Sequence, residues 1–394
     1  MKYYIISGEA SGDLHGSNLI KELKKKDPSA DIRCWGGDKM QAAGATLVKH
    51  YKELAFMGFI EVLNNLGTIL RNIKFCKEDI TQYKPDVLIL IDYPGFNLRI
   101  AKWAKQLGYK IIYYISPQVW AWKENRVKLI KECVDKMLVI LPFEKEFYKK
   151  WNYEVEYVGH PLVEVVEEYR EQDAGSSILD LTQRSHDPAS GIQHPASSIQ
   201  YPASNIIALL PGSRKQEILK KLPIMLEVTK HFPDYRFVVA KAPGLEESFY
   251  TELLAPYSNV SSVADKTYGL LMQSKAALVT SGTATLETAL FGVPEVICYK
   301  GNALSYQIAK RLIKIKFIGL VNLIMDKEVM KELIQNDLTV ENLKYELGLL
   351  LNDTKKQQQV KEDYTALKNL LKKGGNASAN AAASIYSFLT RSTQ

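Results

Sequence analysis

Short apolar runs alternate along this chain with longer amphipathic stretches. Tyr3–Ser7 precedes a helical pattern over Ser17–Lys25, Val87–Ile91 precedes another over Leu98–Leu107, and the runs Ile111–Ile115 and Met137–Leu141 follow. Strand-length apolar runs separated by helix-period segments predict βαβ units, whose parallel strands are covered on both faces. The rhythm restarts at Asn205–Leu210 and continues through Arg236–Ala240, Ala276–Thr280 and Glu295–Tyr299. The pattern therefore predicts an α/β protein of two doubly wound domains, spanning 1–168 and 205–370. A terminal helix within 371–394 is expected to pack on the first domain. The length of 394 residues fits, because single cores stop growing at about 250–300 residues.

Residues 169–204 break the rhythm. They are rich in Ser, Ala, Gln and Pro, and a Pro-Ala-Ser triplet recurs at Pro188, Pro195 and Pro202. A seven-residue period would suit a coiled coil, but a proline in each copy removes a helical hydrogen bond and few apolar residues remain to form a seam. The stretch reads as a disordered interdomain linker, remote from any chemistry.

Composition narrows the class. The 51 Lys and Arg against 44 Asp and Glu leave +7, which favours phosphates or an anionic surface without calling for nucleic acid. Cys34, Cys76, Cys133 and Cys298 lie far apart with no CxxC pair, so neither a zinc site nor a disulfide framework is expected, and a reducing cytoplasm fits best. Met1 leads almost at once into Tyr3–Ile6 with no signal-peptide pattern. No apolar run approaches the roughly 20 residues that span a bilayer.

Candidate chemistry begins in the second domain. The strand Asn205–Leu210 ends in Pro211-Gly212-Ser213-Arg214, and Lys215–Lys221 then has helical character. Ser213 with Gln216 has capping-box spacing, so a helix N-terminus opens here with free N–H groups and a positive dipole for a phosphate. Gly212 admits a close backbone approach, and Arg214 offers a permanently charged, bidentate partner for a diphosphate. An ordinary βα turn with a surface arginine has the same pattern.

A second loop adds weight. Ala276–Thr280 runs into Ser281-Gly282-Thr283-Ala284-Thr285-Leu286-Glu287. Ser281 and Thr283 suit phosphate oxygens, and Glu287 in an early turn suits the two hydroxyls of a ribose. Neither loop is G-x-G-x-x-G, and neither is Gly8-Glu9-Ala10-Ser11-Gly12 after the first strand, which speaks against a dinucleotide cofactor. With no Asp-x-Asp pair after a strand, no metal and no other cofactor is expected. Arginine and helix dipoles then carry the diphosphate charge.

Together these fragments resemble the lipid-A-disaccharide synthase family of inverting glycosyltransferases. The resemblance rests on Gly8-Glu9-Ala10-Ser11-Gly12-Asp13, Ile91-Asp92 with Phe96-Asn97, Ser116-Pro117 with Val119-Trp120-Ala121-Trp122, Leu141-Pro142-Phe143-Glu144, Gly159-His160, Leu209–Arg214, Ser281–Ala284 with Glu287, and Asn322-Leu323. It covers nearly everything but the linker and the last residues. It implies a GT-B fold, two Rossmann-like domains with the active site in the cleft between them. The implied reaction moves diacylglucosamine from a UDP carrier to diacylglucosamine 1-phosphate (lipid X), giving a β-1′,6 disaccharide and UDP. The resemblance also implies a homodimer with exchanged C-terminal segments and a peripheral position on the inner face of the inner membrane. Donor contacts carry over to Gly212, Ser213, Arg214, Ser281, Gly282, Thr283, Glu287 and Asn322, and cleft contacts to Ser11, Asn97, Ser116 and His160. The repeat linker departs from the short connection usual in the family.

Displacement at an anomeric carbon needs a base for the attacking hydroxyl and a stabilised leaving group. Asp92 follows the strand Val87–Ile91 and so lies at the carboxyl edge of the sheet, where doubly wound folds place ligands. Glu9 occupies the first βα loop at the same edge. Either carboxylate can be the base with the other orienting it, and Asp92 before Pro94-Gly95 also suits plain turn capping. His15 and His160 titrate in the right range but rank below them.

Phe56, Phe59, Ile60, Leu63, Leu66, Leu70 and Ile73 recur at helical spacing. They suit a core-facing helix, or a surface that receives acyl chains at a membrane. Lys310, Arg311, Lys314 and Lys316 would add attraction to anionic lipid or form a solvated basic face. Other GT-B-like UDP-sugar enzymes (a peptidoglycan-type transferase, a UDP-N-acetylglucosamine 2-epimerase) share much of this pattern. A non-catalytic sugar-nucleotide or lipid binder would keep Arg214 and Glu287 without needing Asp92.

Overall fold

A computed structural model describes residues 1–54, 66–172, 205–242, 244–302, 306 and 315–391. The chain divides into two compact units, 1–164 with 370–394, and 165–369. Helices Pro161–Gln172 and Thr354–Lys372 carry the chain from one to the other. Residues 169–172 are thus helical and not part of a linker, since Val163, Val165 and Val166 begin an apolar face that continues into this helix. The Pro-Ala-Ser repeats lie outside the described residues.

In the first unit β1 (Lys2–Ile6), β2 (Asp31–Gly36), β3 (Thr46–His50), β4 (Val87–Ile91), β5 (Lys110–Tyr114), β6 (Lys136–Val139) and β7 (Glu156–Tyr157) form one parallel sheet in the order β3-β2-β1-β4-β5-β6-β7. Successive side chains of a strand face opposite sides. Tyr3, Ile5, Val87, Ile89 and Ile91 enter one core layer, and Tyr4, Ile6, Leu88 and Leu90 the other. The first layer is closed by α1 (Ala10–Lys26) through Leu19, Ile20 and Leu23, and by Ala381, Ala382, Ile385 and Leu389 of the C-terminal helix Ala377–Arg391. The second is closed by α2 (Leu66–Tyr83) and α3 (Pro94–Gln106).

The C-terminal helix is tied in by polar contacts as well. Ser378 N–H donates to Glu164 Oε1 (3.0 Å), and Asn380 Nδ2 donates to the carbonyls of Val158 (3.1 Å) and Gly374 (2.7 Å). Gly159 (φ +98°) and Gly374 meet backbone to backbone. A Cβ on Gly374 would lie 2.3 Å from the Gly159 Cα, so neither position admits a side chain.

The second unit holds β8 (Ile206–Leu210), β9 (Arg236–Lys241), β10 (Val260–Ala264), β11 (Ser274–Thr280), β12 (Glu295–Tyr299) and β13 (Glu332–Ile334), again all parallel, in the order β10-β9-β8-β11-β12-β13. The helix α4 (Lys215–Thr229) follows β8 and α5 (Thr283–Leu290) follows β11. In each sheet the strand order reverses beside the first strand, between β1 and β4 and between β8 and β11. Loops leaving such a pair diverge to opposite faces and open a crevice at the carboxyl edge.

Candidate functional site

In the first unit the switch point is formed by the loops after β1 and β4. Both are held by close contact. A Cβ on Gly8 would lie 2.4 Å from the Tyr93 ring, and one on Gly12 would lie 2.8 Å from the Ser7 Cβ. Glu9 is the extended N-cap residue of α1, and Ser11 is half-buried in its first turn. Asp13 is buried and accepts hydrogen bonds from the N–H groups of Gly37 (2.8 Å), Lys39 (3.1 Å) and Met40 (3.0 Å), so it fixes the loop after β2.

Asp92 sits on strained backbone. Asp92 (φ +42°), Tyr93 (φ +49°) and, on the neighbouring strand end, Ile115 (φ +65°) all occupy the left-handed region, which non-glycine residues adopt only when their surroundings enforce it. Here the enforcement is visible. The Asp92 carbonyl accepts from the Tyr113 hydroxyl and from Asn97 Nδ2 (2.8 Å), and its N–H donates to the Ile115 carbonyl (3.2 Å). Burial pushes the Asp92 carboxyl up to about 7, the negative charge of Glu9 adds to the shift, and a hydrogen bond from the Tyr93 N–H opposes it. The two carboxylates are thus electrostatically coupled.

Three of the four residues carried over as cleft contacts have another role. Asn97 is wholly buried, and its Nδ2 also reaches the carbonyls of Ile6 (3.4 Å) and Ile91 (3.2 Å), joining the ends of β1 and β4. Ser116 is buried and bonded to the Tyr148 hydroxyl (2.7 Å). Beside it the buried Glu144 accepts from the N–H groups of Ile140 (3.2 Å) and Leu141 (2.9 Å), and Trp120 packs edge-on against Phe143. The Ser116–Trp122 and Leu141–Glu144 motifs therefore brace each other inside the unit. His160 is buried too. Its Nδ1 accepts from Leu162 N–H (3.3 Å), and burial with the proximity of His15 lowers it to about 3. Burial alone holds His15 at about 4. Both imidazoles are neutral, weakly basic structural groups.

In the second unit the switch point lies between the loops after β8 and β11. Gly212 has φ +118°, and a Cβ there would lie 2.9 Å from Glu217 Oε2. Ser213 does not cap α4. The N-cap residue is Arg214, one position later, because helical geometry begins at Lys215. Arg214 is about half exposed (48%) and pairs with Glu217 Oε1 (3.0 Å), whose other oxygen lies 3.8 Å from the ammonium of the buried Lys221. Two cationic side chains share one carboxylate beneath a glycine turn.

On the second loop Gly282 (φ +151°) and Thr283 are exposed at the start of α5. The Ser281 hydroxyl donates to the Ile318 carbonyl (3.0 Å), so its proton is not available to a phosphate. Glu287 accepts a hydrogen bond from the Tyr268 hydroxyl (2.7 Å), and burial raises its carboxyl. Asn322 does not face the site. It is fully buried, donates to the Met330 carbonyl (2.7 Å) and Glu332 Oε1 (2.9 Å), and accepts from the N–H groups of Val329 (2.8 Å) and Met330 (3.0 Å). It staples the approach to β13.

The proposed acyl face divides. Phe56, Phe59, Ile60 and Leu63 lie outside the described residues, as does the side chain of Leu66. Ile73 is a core residue, because Ile73, Cys76 and Ile80 form the buried face of α2, whereas Leu70 stands 56% exposed. Lys316 is exposed and paired with Asp326 (3.1 Å), and Lys310, Arg311 and Lys314 lie outside the described residues. Among the described residues no helix is long and apolar enough to cross a membrane, and no cluster of His, Cys, Asp and Glu is arranged to hold a metal ion.

Sequence reasoning missed Tyr113, Glu217, Lys221 and Tyr268. Glu217 and Lys221 follow Arg214 at helical spacing and were open to the eye. Tyr113 lies in an apolar strand and Tyr268 in a separate short helix, with no local mark of either role.

The fold agrees with comparison to known proteins. A family profile described as Lipid-A-disaccharide synthetase matches residues 3–386. The chain belongs to this family. The lipid-A-disaccharide synthase of Geobacter metallireducens is 39% identical over 376 residues, covering 94% of this chain and 93% of the relative. Among solved structures, the UDP-GlcNAc 2-epimerase of Neisseria meningitidis bound to UDP-GlcNAc superposes with a TM-score of 0.63 at 13% identity, over 95% of this chain and 100% of the other. The glycotransferase of kitacinnamycin gives 0.61 at 14%, over 98% of each. These likenesses establish the GT-B fold for the lipid-A-disaccharide synthetase family member described here.

Proposed function

We propose that this chain is a lipid-A-disaccharide synthase. It transfers 2,3-diacylglucosamine from UDP to the 6-hydroxyl of 2,3-diacylglucosamine 1-phosphate, with inversion, releasing UDP. Family membership over nearly the whole length supports the reaction. The observation that carries the mechanism is Asp92, a carboxyl held by left-handed backbone and raised to about 7 beside Glu9. Asp92 takes the proton of the attacking hydroxyl as the C–O bond to the anomeric carbon forms, and Glu9 tunes its basicity.

The bond to UDP breaks on the opposite side of that carbon. The charge growing on the diphosphate is met by Arg214, by the N-terminus of α4, and by Lys221 from beneath Gly212. Turnover in this reading needs no metal, and retained activity after chelation is the check. Both substrates carry acyl chains, so the enzyme works peripherally at the cytoplasmic face of the inner membrane, with the segment containing Phe56 to Leu70 as its contact. Co-sedimentation with anionic vesicles tests that contact, and equilibrium sedimentation tests the homodimer.

The decisive assay incubates the protein with both lipid substrates. UDP and disaccharide should appear in equal amounts, and Asp92→Asn should lower kcat at least about 100-fold, the usual worth of a general base. Folded protein that makes no disaccharide would overturn the reading. Full turnover by Asp92→Asn would move the base to Glu9.

A further inference from the structure

Glu287 is held by a side chain from a different element. Tyr268 is the second residue of the short helix Thr267–Met272 after β10, and its hydroxyl donates to Glu287 Oε1 at 2.7 Å. The tyrosine ring is itself fixed. It packs on Phe291 (centroids 5.1 Å), the C-cap residue of α5 one helical turn after Glu287, and edge-on against Tyr169 (5.3 Å). Arg170 completes the arrangement by lying over Phe291 (5.6 Å) and donating to the Leu290 carbonyl (3.3 Å). A ring held on two sides has one hydroxyl position, and that position is spent on one oxygen of Glu287.

The consequence concerns a sugar diol. A carboxylate recognises vicinal hydroxyls only when it is charged and correctly rotated, and a mobile glutamate loses side-chain entropy on binding. A hydrogen bond to Oε1 favours the charged form against burial and fixes the plane of the group, while Oε2 takes no bond from the described residues.

We propose that Tyr268 is a positioning residue for ribose recognition: it sets the Glu287 carboxylate so that the group discriminates a nucleotide carrying the 2′,3′-diol from one lacking it. The inference rests on the reading that Glu287 faces the donor ribose. It extends that reading to a residue that touches no ligand.

Calorimetric titration of the full chain with UDP and with 2′,3′-dideoxyuridine diphosphate tests both levels. The wild type should prefer UDP, and Tyr268→Phe, which keeps the ring in its aromatic seat, should lose roughly three- to tenfold of that preference, as expected for a bond to a charged group partly replaced by water. Its affinity for the dideoxy nucleotide should equal that of the wild type. Glu287→Gln should abolish the preference. If Tyr268→Phe keeps the full preference while Glu287→Gln has lost it, the role of Tyr268 is overturned and the ribose reading stands. Equal weakening toward both nucleotides by Tyr268→Phe overturns the role as well, leaving only a packing contribution. If Glu287→Gln keeps the preference, or the wild type has none, the ribose reading itself falls and takes Tyr268 with it.

Discussion

The Tyr113 hydroxyl donates its hydrogen bond to the main-chain carbonyl of Asp92 and not to the carboxylate. The phenol therefore holds the peptide in its left-handed conformation and leaves the carboxyl to the edge of the sheet. Tyr113→Phe should loosen that peptide, which Asn97 and Ile115 still hold, without opening a cavity. Loss of one such bond is worth about 1–2 kcal/mol, so kcat should fall roughly tenfold with KM nearly unchanged. Steady-state kinetics with both lipid substrates provide the check.

The raised Asp92 carboxyl sets a pH dependence. As a base it works only when ionised, so kcat/KM should climb with pH through a midpoint near 7. Glu9→Gln removes a negative neighbour and should move that midpoint downward. A midpoint unmoved by Glu9→Gln would uncouple the two groups.

Stability carries the opposite sign. The unfolded chain ionises Asp92 from its ordinary value of 3.8, but the folded chain does so only near 7. The stabilisation is present below about pH 4 and is lost as pH rises through 7. Asp92→Asn should therefore be more stable than the wild type at pH 8, on the order of 1–2 kcal/mol after screening, and should match it at pH 4. Urea unfolding at the two pH values measures the difference.

His15 and His160 govern the acid limb. Their folded values of about 4 and about 3 lie below the ordinary 6.5, so the unfolded state binds protons that the folded state refuses. Their joint contribution to stability should fall as pH drops from 6.5 toward 4, opposing the gain from Asp92 over the same range. His160→Asn should flatten that slope in urea midpoints recorded between pH 4 and 7.

Asn322 separates a structural role from a ligand contact. Asn322→Leu strands the N–H and the carbonyl of Met330 in the interior and should cost about 2–4 kcal/mol in chemical unfolding. The affinity of the surviving folded fraction for UDP should be unchanged. A donor-contacting asparagine would show the reverse.

Much of this arrangement was legible in the chain itself. Apolar runs such as Val87–Ile91 and Ile206–Leu210 mark central strands because both faces are buried, and each of them ends at the switch point of its own sheet. Strands with mixed patterns were not legible. Val260–Ala264 is a half-buried edge strand of small residues, and Glu156–Tyr157 is only two residues long. Motif matching also blurred two kinds of residue. Asp92 and Arg214 stand at the carboxyl edges of their sheets, whereas Asn97, Ser116 and Asn322 spend their polar atoms bracing backbone. Sequence spacing alone does not say which way a side chain is spent.

The helix Ala377–Arg391 seals a core layer that begins with Tyr3 and Ile5. On the ribosome, then, the first half of the chain to be made is the last to be finished. Residues 165–369 form a contiguous unit, while β1 to β7 wait with one sheet face bare of Ala381, Ile385 and Leu389. Nascent protein stalled before residue 377 would display that apolar strip to chaperones, although every strand of both sheets had already been synthesised.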